Sequence, residues 1–410
     1  MLKRPLRVAM ALHGDVTHDS RVLREADSLG RAGHSVTVFC LAGIAPPNSR
    51  FQVTAAPAHS SGVAPAAAGP SVAASRGRLP RRIAWGIRYL RRLRSWGRWA
   101  YGAAGAVDVW HVHDFTALLA IGPLVRRPTR LIYDSHEIFL EAGSAARLPW
   151  TLRLVLRGLE RATARKATAL VTVNEGYADI LEGRLRPRRT VIVRNCPPVR
   201  RKPERDESRL RRSLSLNADV PLILYHGLFG PHRGIEQSAE ALLKPGLRRA
   251  HLAFLGYGSL REDLVTLAAN PRFGGRLHII DAVPPSELLD WVEGADVDII
   301  ALQPTTLNHW LCTPNKLWES ITAGVPVVVS DFPLMAAIVA NDPDGSLGAV
   351  CDPTDPVSIA TAIQSILDMP EESSAQMRGR SWHAARDRWN WEAESRALIN
   401  LYAELASARP

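Results

Sequence analysis

The stretch CTPNKLWESITAGVPVVVSD, residues 312–331, places a lysine and a glutamate beside an apolar run that is typical of a buried strand. Asn315 can cap or begin a short helix that carries Lys316 and Glu319 and ends at Gly324. A glutamate carboxylate can accept two hydrogen bonds from a ribose diol, and a lysine can approach a phosphate or sugar oxygen. The same two residues could instead be a dipole-balancing carboxylate and a surface cation, so other stretches must decide.

Two glycine-rich turns precede this stretch, and each follows an apolar strand. The first, HGLFGPHRG, contains Gly227 and carries Arg233 just ahead of a predicted helix. Backbone N–H groups at a helix start, together with a cation, suit an anion such as a diphosphate. The second, LGYG, contains Gly256 and Gly258, where the backbone could approach a nucleotide base or ribose. Both could be ordinary tight turns, since neither has the GxGxxG spacing, but all three stretches are expected at one edge of a parallel sheet.

Apolar runs alternate with helical patterns through both halves of the chain, beginning with LRVAMAL and a helix capped by Asp19 or Ser20. This alternation predicts two doubly wound, Rossmann-like α/β domains that face each other across a cleft, with ligands at the carboxyl ends of the strands. The expected division is a first domain at 1–197 with an insertion at about 54–105, a charged linker at 198–218, a second domain at 219–385 and terminal helices at 386–410. Residues 54–75, rich in Ala, Pro, Gly and Ser, are expected to form a mobile loop.

The 410-residue chain has a formal net charge of +11, which favours anionic partners such as phosphates, nucleic acid or an acidic membrane surface. Its four cysteines are widely separated, so the spacing favours buried thiols in a reducing compartment over a zinc site. No window approaches the ~20 apolar residues that span a bilayer, and the N-terminal run resembles a buried strand rather than a signal peptide. These features predict a cytoplasmic protein.

Residues 76–99 form a basic segment in which nine arginines are interleaved with Trp85, Tyr89, Trp96 and Trp99. An amphipathic helix of this composition could dock on the anionic inner face of the plasma membrane, because arginines attract anionic lipid and tryptophans favour the interface. The alternative is a solvated arginine face whose tryptophans pack on the first domain. No recognised nucleic-acid module accompanies the arginines, so nucleic acid is not the expected partner.

In their order and spacing, HGLFGPHRGIE, LGYGSLRE and TPNKLWESITAGVPVVVSD resemble the C-terminal domain of retaining glycosyltransferases of the GT-B fold, glycosyltransferase family 4. DSRVLREADSLGRAGHSVTV, DVWHVHD and YDSHEIF resemble the acceptor domain of that family. WNWEAESRALINLYAEL resembles its terminal helices, one of which crosses back to the first domain. The resemblance covers nearly the whole chain except about 50–105, and it implies a GT-B fold and sugar transfer with retention of configuration.

The resemblance also implies roles for single residues. Arg233 matches the cation that holds the donor diphosphate, and Glu319 matches the carboxylate that binds the donor ribose. Gly14 matches a loop that closes over the donor, His113 matches a histidine near the reacting centre, and His111 is a weaker candidate on the same side of its strand. The expected catalytic residues are His113, Arg233 and Glu319. The expected donor-binding residues are Gly14, Gly227, Arg233, Gly256, Gly258, Asn315, Lys316, Leu317 and Glu319. The expected acceptor-side residues are His111, His113, Asp114 and Glu137, and Asp134 is a further polar candidate, although it or Glu137 could simply pair with an arginine.

Two positions depart from the family pattern. The first glutamate of the family's pair would fall at Leu311, which cannot hydrogen-bond a sugar, and the second cation of the phosphate loop is replaced by Leu228. TPNKLWE therefore resembles a subgroup in which Pro-Asn-Lys precedes the second glutamate. Backbone amides with Asn315 or Lys316 would then hold the sugar, and Lys316 would assist Arg233 at the phosphates.

These residues predict a hexosyltransferase of cell-envelope glycan biosynthesis that uses a nucleoside-diphosphate-sugar and a glycan or lipid-linked acceptor. No cofactor or metal is expected, because Arg233, Lys316 and helix N-termini can neutralise the departing phosphate. Two alternatives stay open. A nucleotide-sugar epimerase of the same fold would act on the donor without an acceptor, and a catalytically silent, membrane-associated scaffold would fit the leucines at 228 and 311.

Overall fold

The computed structural model describes residues 4–57, 79–143, 145–203 and 208–407. The chain divides into two compact units. The first unit comprises residues 1–195 together with 394–410, and the second comprises residues 196–393. The first unit is therefore built from two stretches of chain that are far apart in the sequence.

The first unit contains a seven-stranded parallel sheet in the order β3-β2-β1-β4-β5-β6-β7. Its strands are β1 Arg7–Leu12, β2 Ser35–Cys40, β3 Gln52–Ala55, β4 Val109–His113, β5 Arg130–Ser135, β6 Ala169–Thr172 and β7 Thr190–Ile192. The helices that connect them are α1 Ser20–Arg31, α2 Leu79–Ala104, α3 Asp114–Ile121, α4 Trp150–Ala164 and α5 Glu175–Leu185. The strand order reverses direction at β1, as it does in doubly wound folds.

Helix α1 illustrates how the local sequence produces these elements. The Asp19 side chain accepts a hydrogen bond from the Val22 N–H at 3.0 Å, so the predicted cap is confirmed. Val22, Ala26 and Leu29 are fully buried at helical spacing, and Gly33 follows the helix with a φ of +91°. This helix packs its apolar face on the sheet and leaves its start at the carboxyl edge of β1.

The second unit contains a six-stranded parallel sheet in the order β10-β9-β8-β11-β12-β13. Its strands are β8 Leu222–Leu228, β9 His251–Tyr257, β10 Leu277–Asp281, β11 Val297–Ile300, β12 Val327–Ser330 and β13 Gly348–Cys351. Its helices are α6 Arg209–Ser213, α7 Ile235–Ala241, α8 Arg261–Ala268, α9 Leu288–Val292, α10 Leu307–Trp310, α11 Asn315–Thr322, α12 Pro333–Ala340, α13 Pro356–Leu367 and α14 Glu371–Asp387. Two Rossmann-like units are thus confirmed.

The charged segment 198–218 lies within the second unit and contains α6. Arg211 is buried, and its guanidinium donates to Asp296 at 2.6 Å. Arg200 pairs with Asp290 at 2.7 Å. Two of the charges that suggested a linker, Arg200 and Arg211, thus form ion pairs with residues of the second unit.

The chain ends in helix α15, Trp391–Ser407, most of which belongs to the first unit. The Tyr402 hydroxyl lies 3.0 Å from Nδ1 of His111, and Glu394 pairs with Arg194. The predicted return of the terminal helix to the first domain is therefore confirmed.

The basic insertion is described in part. The loop predicted at 54–75 starts too early, because strand β3 continues to Ala55. From residue 58 onward the predicted loop lies outside the described residues, as do residues 76–78 of the basic segment. Helix α2 buries Leu93 and Trp96 against the first unit, whereas Trp85 is exposed. The tryptophans are thus divided between packing and solvent. In the part of the chain that the structure describes, no helix combines the length and apolarity needed to cross a bilayer.

Candidate functional site

The end of β8 and the start of α11 bring polar side chains together at the carboxyl edge of the second sheet. Lys316 is buried, and its Nζ lies 3.4 Å from the centroid of the Tyr225 ring in a cation–π contact. Gly227 adopts a φ of +114°, and a Cβ at this glycine would lie 3.5 Å from Cε of Lys316. The strand end, the glycine turn and the helix therefore converge, as the sequence predicted.

Lys316 has an unusual protonation behaviour for a lysine. Burial lowers the pKa of Lys316 to about 7, with the charge of Arg233 adding to the effect and Asp298 and Glu319 opposing it. Arg233 is partly exposed and stands just ahead of α7. An anion that binds here would face the guanidinium of Arg233 and the amine of Lys316, and its negative charge would favour protonation of that amine.

Glu319 is held by a histidine that the sequence motifs did not mark. His226 Nε2 lies 3.0 Å from Oε2 of Glu319, and its Nδ1 lies 3.2 Å from Oδ2 of Asp298. Burial would lower the pKa of His226, but Asp298 and Glu319 outweigh it and raise the pKa to about 9. The imidazolium is therefore buried and charged at neutral pH. Ser320 Oγ donates to the same Asp298 oxygen at 2.6 Å.

This arrangement fixes one carboxylate while leaving it reachable. The Glu319 side chain is 18% exposed, whereas those of His226 and Asp298 are essentially inaccessible. The charged hydrogen bond from buried His226 thus holds the Glu319 carboxylate in place at the carboxyl edge of the sheet. The only signal for His226 in the sequence is its place at the end of a strand, directly before Gly227.

The glycines of the two turns are required by close backbone packing. A Cβ at Gly256 would lie 1.9 Å from the carbonyl oxygen of Gly227, and one at Gly258 would lie 2.2 Å from that of Phe229. The two turns therefore lie against each other at one edge, as predicted. Backbone packing alone accounts for glycine at both positions, and it leaves their contact with a donor as a proposal.

The other donor-side residues lie in different environments. Pro314, not Asn315, is the N-cap of α11, so the predicted cap is displaced by one residue and exposed Asn315 begins the helix. Leu317 is buried in the core, and its N–H donates to the Pro314 carbonyl at 2.9 Å. Leu228 is exposed at the end of β8.

In the first unit, five ionisable side chains form a buried cluster at the carboxyl ends of β4 and β5. Arg21 Nη2 lies 3.0 Å from Oδ1 of Asp134 and 3.1 Å from Oε1 of Glu25. His111 Nε2 and His113 Nδ1 lie 3.5 and 3.6 Å from Oδ2 of Asp134. The two histidine rings stack with centroids 4.7 Å apart, so both face the same side of β4 as alternation predicted.

The pKa values of this cluster are set by burial together with the neighbouring charges. Burial would raise the pKa of Asp134, but Arg21 and His136 hold it well below its ordinary value. Burial raises the pKa of Glu25 well above its ordinary value, and it lowers that of His113 well below. Arg21 and His136 thus favour the ionised form of Asp134, whereas burial favours the neutral forms of Glu25 and His113.

Four members of this cluster have the donor types of a metal site. The ligand atoms of Glu25, His111, His113 and Asp134 lie within 4.8 Å of one another. However, the Arg21 guanidinium contacts both carboxylates and supplies the positive charge between them. The cluster can thus balance its charge from protein groups.

The accessible end of the cluster consists of residues that the motifs marked weakly or not at all. His136 Nδ1 lies 3.4 Å from Oδ2 of Asp114, and Asp114 and Asp134 overcome burial to raise the pKa of His136 to about 10. The side chains of His136 and Asp114 are 15% and 38% exposed, whereas His113 is fully buried. Glu137 is exposed. Asp114, an expected acceptor-side residue, and His136, which the motifs did not mark, therefore form the accessible end of the cluster, whereas His113 does not reach the surface.

Gly14 lies just beyond β1, and its carbonyl oxygen accepts a hydrogen bond from the Leu41 N–H at 2.9 Å. Its neighbour His13 packs edge-on against Trp96 and Tyr89 of α2. Burial lowers the pKa of His13 to about 4, so the ring is neutral. The loop that contains Gly14 is thus packed against α2.

Comparison with known proteins places these elements in a family. Residues 18–196 match the family described as "Glycosyl transferase 4-like domain", and residues 206–381 match "Glycosyl transferases group 1". Glycogen synthase of Mycobacterium tuberculosis is 25% identical over 313 residues, which are 72% of this chain and 68% of that protein.

Solved structures show the same fold. Sucrose-phosphate synthase of Thermosynechococcus elongatus superposes with a TM-score of 0.75 at 18% identity, covering 99% of this chain and 100% of that one. Anabaena Alr3699/HepE in complex with UDP-glucose gives a TM-score of 0.67 at 14% identity, covering 97% and 100%. The expected GT-B fold is confirmed.

Proposed function

Since the chain belongs to the glycosyltransferases, with a glycosyl transferase 4-like domain followed by a group 1 domain, we propose that it moves a hexose from a nucleoside-diphosphate-sugar to a glycan or lipid-linked acceptor, with retention of anomeric configuration. The structure of the HepE protein was determined with UDP-glucose bound, which supports a nucleotide-sugar as the donor class. Cell-envelope glycan biosynthesis is the proposed process.

One observation carries the proposal: a hydrogen-bonded carboxylate stands beside two cationic groups at the carboxyl edge of the second sheet. Glu319, oriented by His226, would accept hydrogen bonds from the donor ribose. Arg233 and Lys316 would neutralise the charge that develops on the departing diphosphate. A well-placed donor of this kind typically lowers a barrier by ~3 kcal/mol, so in this proposal the two groups would stabilise the departing diphosphate without a metal.

The first unit would bind the acceptor. His136 and Asp114 offer a donor and an acceptor of hydrogen bonds at the accessible end of the buried cluster. His113 would act indirectly by orienting the ring of His136. Nδ1 of His113 lies 3.3 Å from Nε2 of His136. Gly14 would contribute backbone near the donor.

The proposed location is the cytoplasm, with peripheral attachment to the inner face of the plasma membrane. The exposed arginines of α2, with Trp85 at its outer side, support contact with an anionic lipid surface. Attachment of this kind would bring a lipid-linked acceptor to the enzyme.

The decisive experiment measures nucleoside diphosphate release from UDP-, GDP- and ADP-sugars, with and without a cell lipid extract and with EDTA present. Acceptor-dependent release is expected, and NMR of the product should show the anomeric configuration of the donor. Isomerisation of the donor without an acceptor would instead establish an epimerase. Donor binding without turnover under any condition would establish a catalytically silent relative.

A further inference from the structure

Helix α4 exposes large apolar side chains on its outer face, whereas a helix that only covers a sheet would bury them on its inner face. Its inner side contains Glu160, which accepts a hydrogen bond from the Tyr133 hydroxyl at 2.9 Å, and Arg153, which pairs with Glu141 at 2.9 Å. Its outer side carries large apolar residues. Their exposed fractions are 76% for Trp150, 43% for Leu152, 59% for Leu154, 58% for Val155 and 47% for Leu159.

Leaving these apolar side chains in water costs free energy, because they are not buried by packing within the described part of the first unit. Burying a leucine or valine side chain is worth roughly 1.5–3 kcal/mol relative to leaving it exposed. A surface helix ordinarily turns its polar residues outward, and a contiguous apolar patch of this kind marks an interaction surface. We therefore infer that the outer face of α4 is an interaction surface.

A second exposed apolar patch lies in the same helical layer. Helices α2 and α4 both pack against α3. On α2, Trp85, Ile87 and Leu90 are each more than two-fifths exposed. No acidic residue occurs anywhere between Leu79 and Ala104. The two flanking helices of the layer thus present the same combination of apolar and basic residues.

The charges around α4 identify the partner chemistry. From Arg147 to Lys166 the sequence contains six basic residues and one acidic residue, Glu160, which is buried. Arg153 and Arg157 contact Glu141, whereas Arg165 and Lys166 at the end of the helix are exposed. A second copy of this chain would bring equal cations face to face, which is unfavourable. An anionic bilayer satisfies both features, because its headgroups pair with arginines and its acyl boundary accepts tryptophan and leucine.

We propose that the outer face of α4, together with the exposed apolar residues of α2, is seated on an anionic lipid bilayer, with Trp150 and Leu154 inserted at the acyl boundary. This surface extends the proposed function, since it would bring the enzyme to a lipid-linked acceptor. Vesicle binding itself does not depend on sugar transfer, so the two proposals are tested separately.

The test is flotation of the full chain with vesicles of phosphatidylcholine, with and without phosphatidylglycerol. The wild-type chain should float only with the anionic vesicles, and rising salt should weaken but not abolish its binding. The double substitution Trp150→Ser, Leu154→Ser should reduce the partition at least about tenfold, since it removes apolar area from the boundary. The matched control is Val265→Ser, Val357→Ser, which changes two exposed apolar residues on helices of the second unit.

Two outcomes would overturn the proposal. Equal flotation of the α4 variant and the control would exclude insertion of this face. A wild-type dimer in light scattering that the α4 variant converts to a monomer, without vesicle binding, would make α4 a self-association surface. Circular dichroism checks that both variants are folded. Nucleoside diphosphate titration by calorimetry should be the same in both, and absence of donor binding in the wild type would refute the proposed function without affecting the vesicle result.

Discussion

Both units end a central strand with histidine beside carboxylates, yet the two clusters are built in opposite ways. In the first unit, Arg21 supplies the positive charge and the histidines of β4 are neutral and fully buried. In the second, His226 is itself the buried cation, and its partner Glu319 reaches the surface. The closed cluster uses its charges for cohesion, whereas the open one exposes a charge that a ligand can meet.

The comparison implies that the same kind of substitution should destabilise one unit and inactivate the other. Breaking a buried ion pair leaves an uncompensated charge and is expensive. Removing a partly exposed cation leaves little behind, so the loss should appear in catalysis.

The largest effect is expected for Arg21→Met, which leaves Asp134 ionised and buried without its main partner. The free energy of unfolding should fall by ~3–5 kcal/mol, measured by urea denaturation followed by tryptophan fluorescence. Arg31→Met on the same helix removes an exposed pair with Asp27 and should change stability little. A similar loss of unfolding free energy in both variants would contradict the expected difference between the buried and the exposed ion pair.

Arg233→Ala should lower kcat by about 10²–10³, because a cation near the leaving phosphate acts mainly in the transition state. The thermal midpoint should stay near the wild-type value. Steady-state diphosphate release measures the rate, and Glu262→Ala, which changes an exposed carboxylate on α8, serves as the control. Normal turnover by Arg233→Ala would place the phosphate site elsewhere.

His226→Ala should lower stability, because it leaves buried Asp298 without its histidine. It should also weaken binding of the nucleoside diphosphate by about tenfold to a hundredfold, since it releases Glu319 from its charged hydrogen bond. Calorimetric titration measures this change. The double variant with Glu319→Ala should bind no more weakly than Glu319→Ala alone, because the histidine acts through the carboxylate. Additive losses would contradict a positioning role.

The smallest effect concerns pH. Lys316 has a pKa of about 7, so a bound diphosphate should draw a proton onto it above that pH. Affinity should therefore fall as pH rises from 7 to 8, by at most about tenfold per unit. Calorimetry in buffers of different ionisation enthalpy should detect proton uptake that Lys316→Met lacks. His226, with a pKa of about 9, remains charged over this range and contributes little.

The sequence predicted what depends on order and spacing along the chain. The strands, the helix that carries Lys316 and Glu319, and the convergence of the glycine turns all follow from apolar runs and turn residues. His226 escaped notice because its partners Asp298 and Glu319 lie 72 and 93 positions away in the sequence. Charge composition likewise suggested a linker at 198–218. The ion pairs of Arg200 with Asp290 and of Arg211 with Asp296 join residues about 85–90 positions apart, which composition does not reveal.

The discontinuity of the first unit has a consequence for biosynthesis. Tyr402, which contacts His111, leaves the ribosome among the last residues of the described chain, long after strands β1 to β7 have emerged. The first unit therefore lacks its last segment, residues 394–410, until all the residues of the second unit have been translated. Premature termination after residue 393 would retain every residue of the second unit but remove Tyr402 and its contact with His111 from the first.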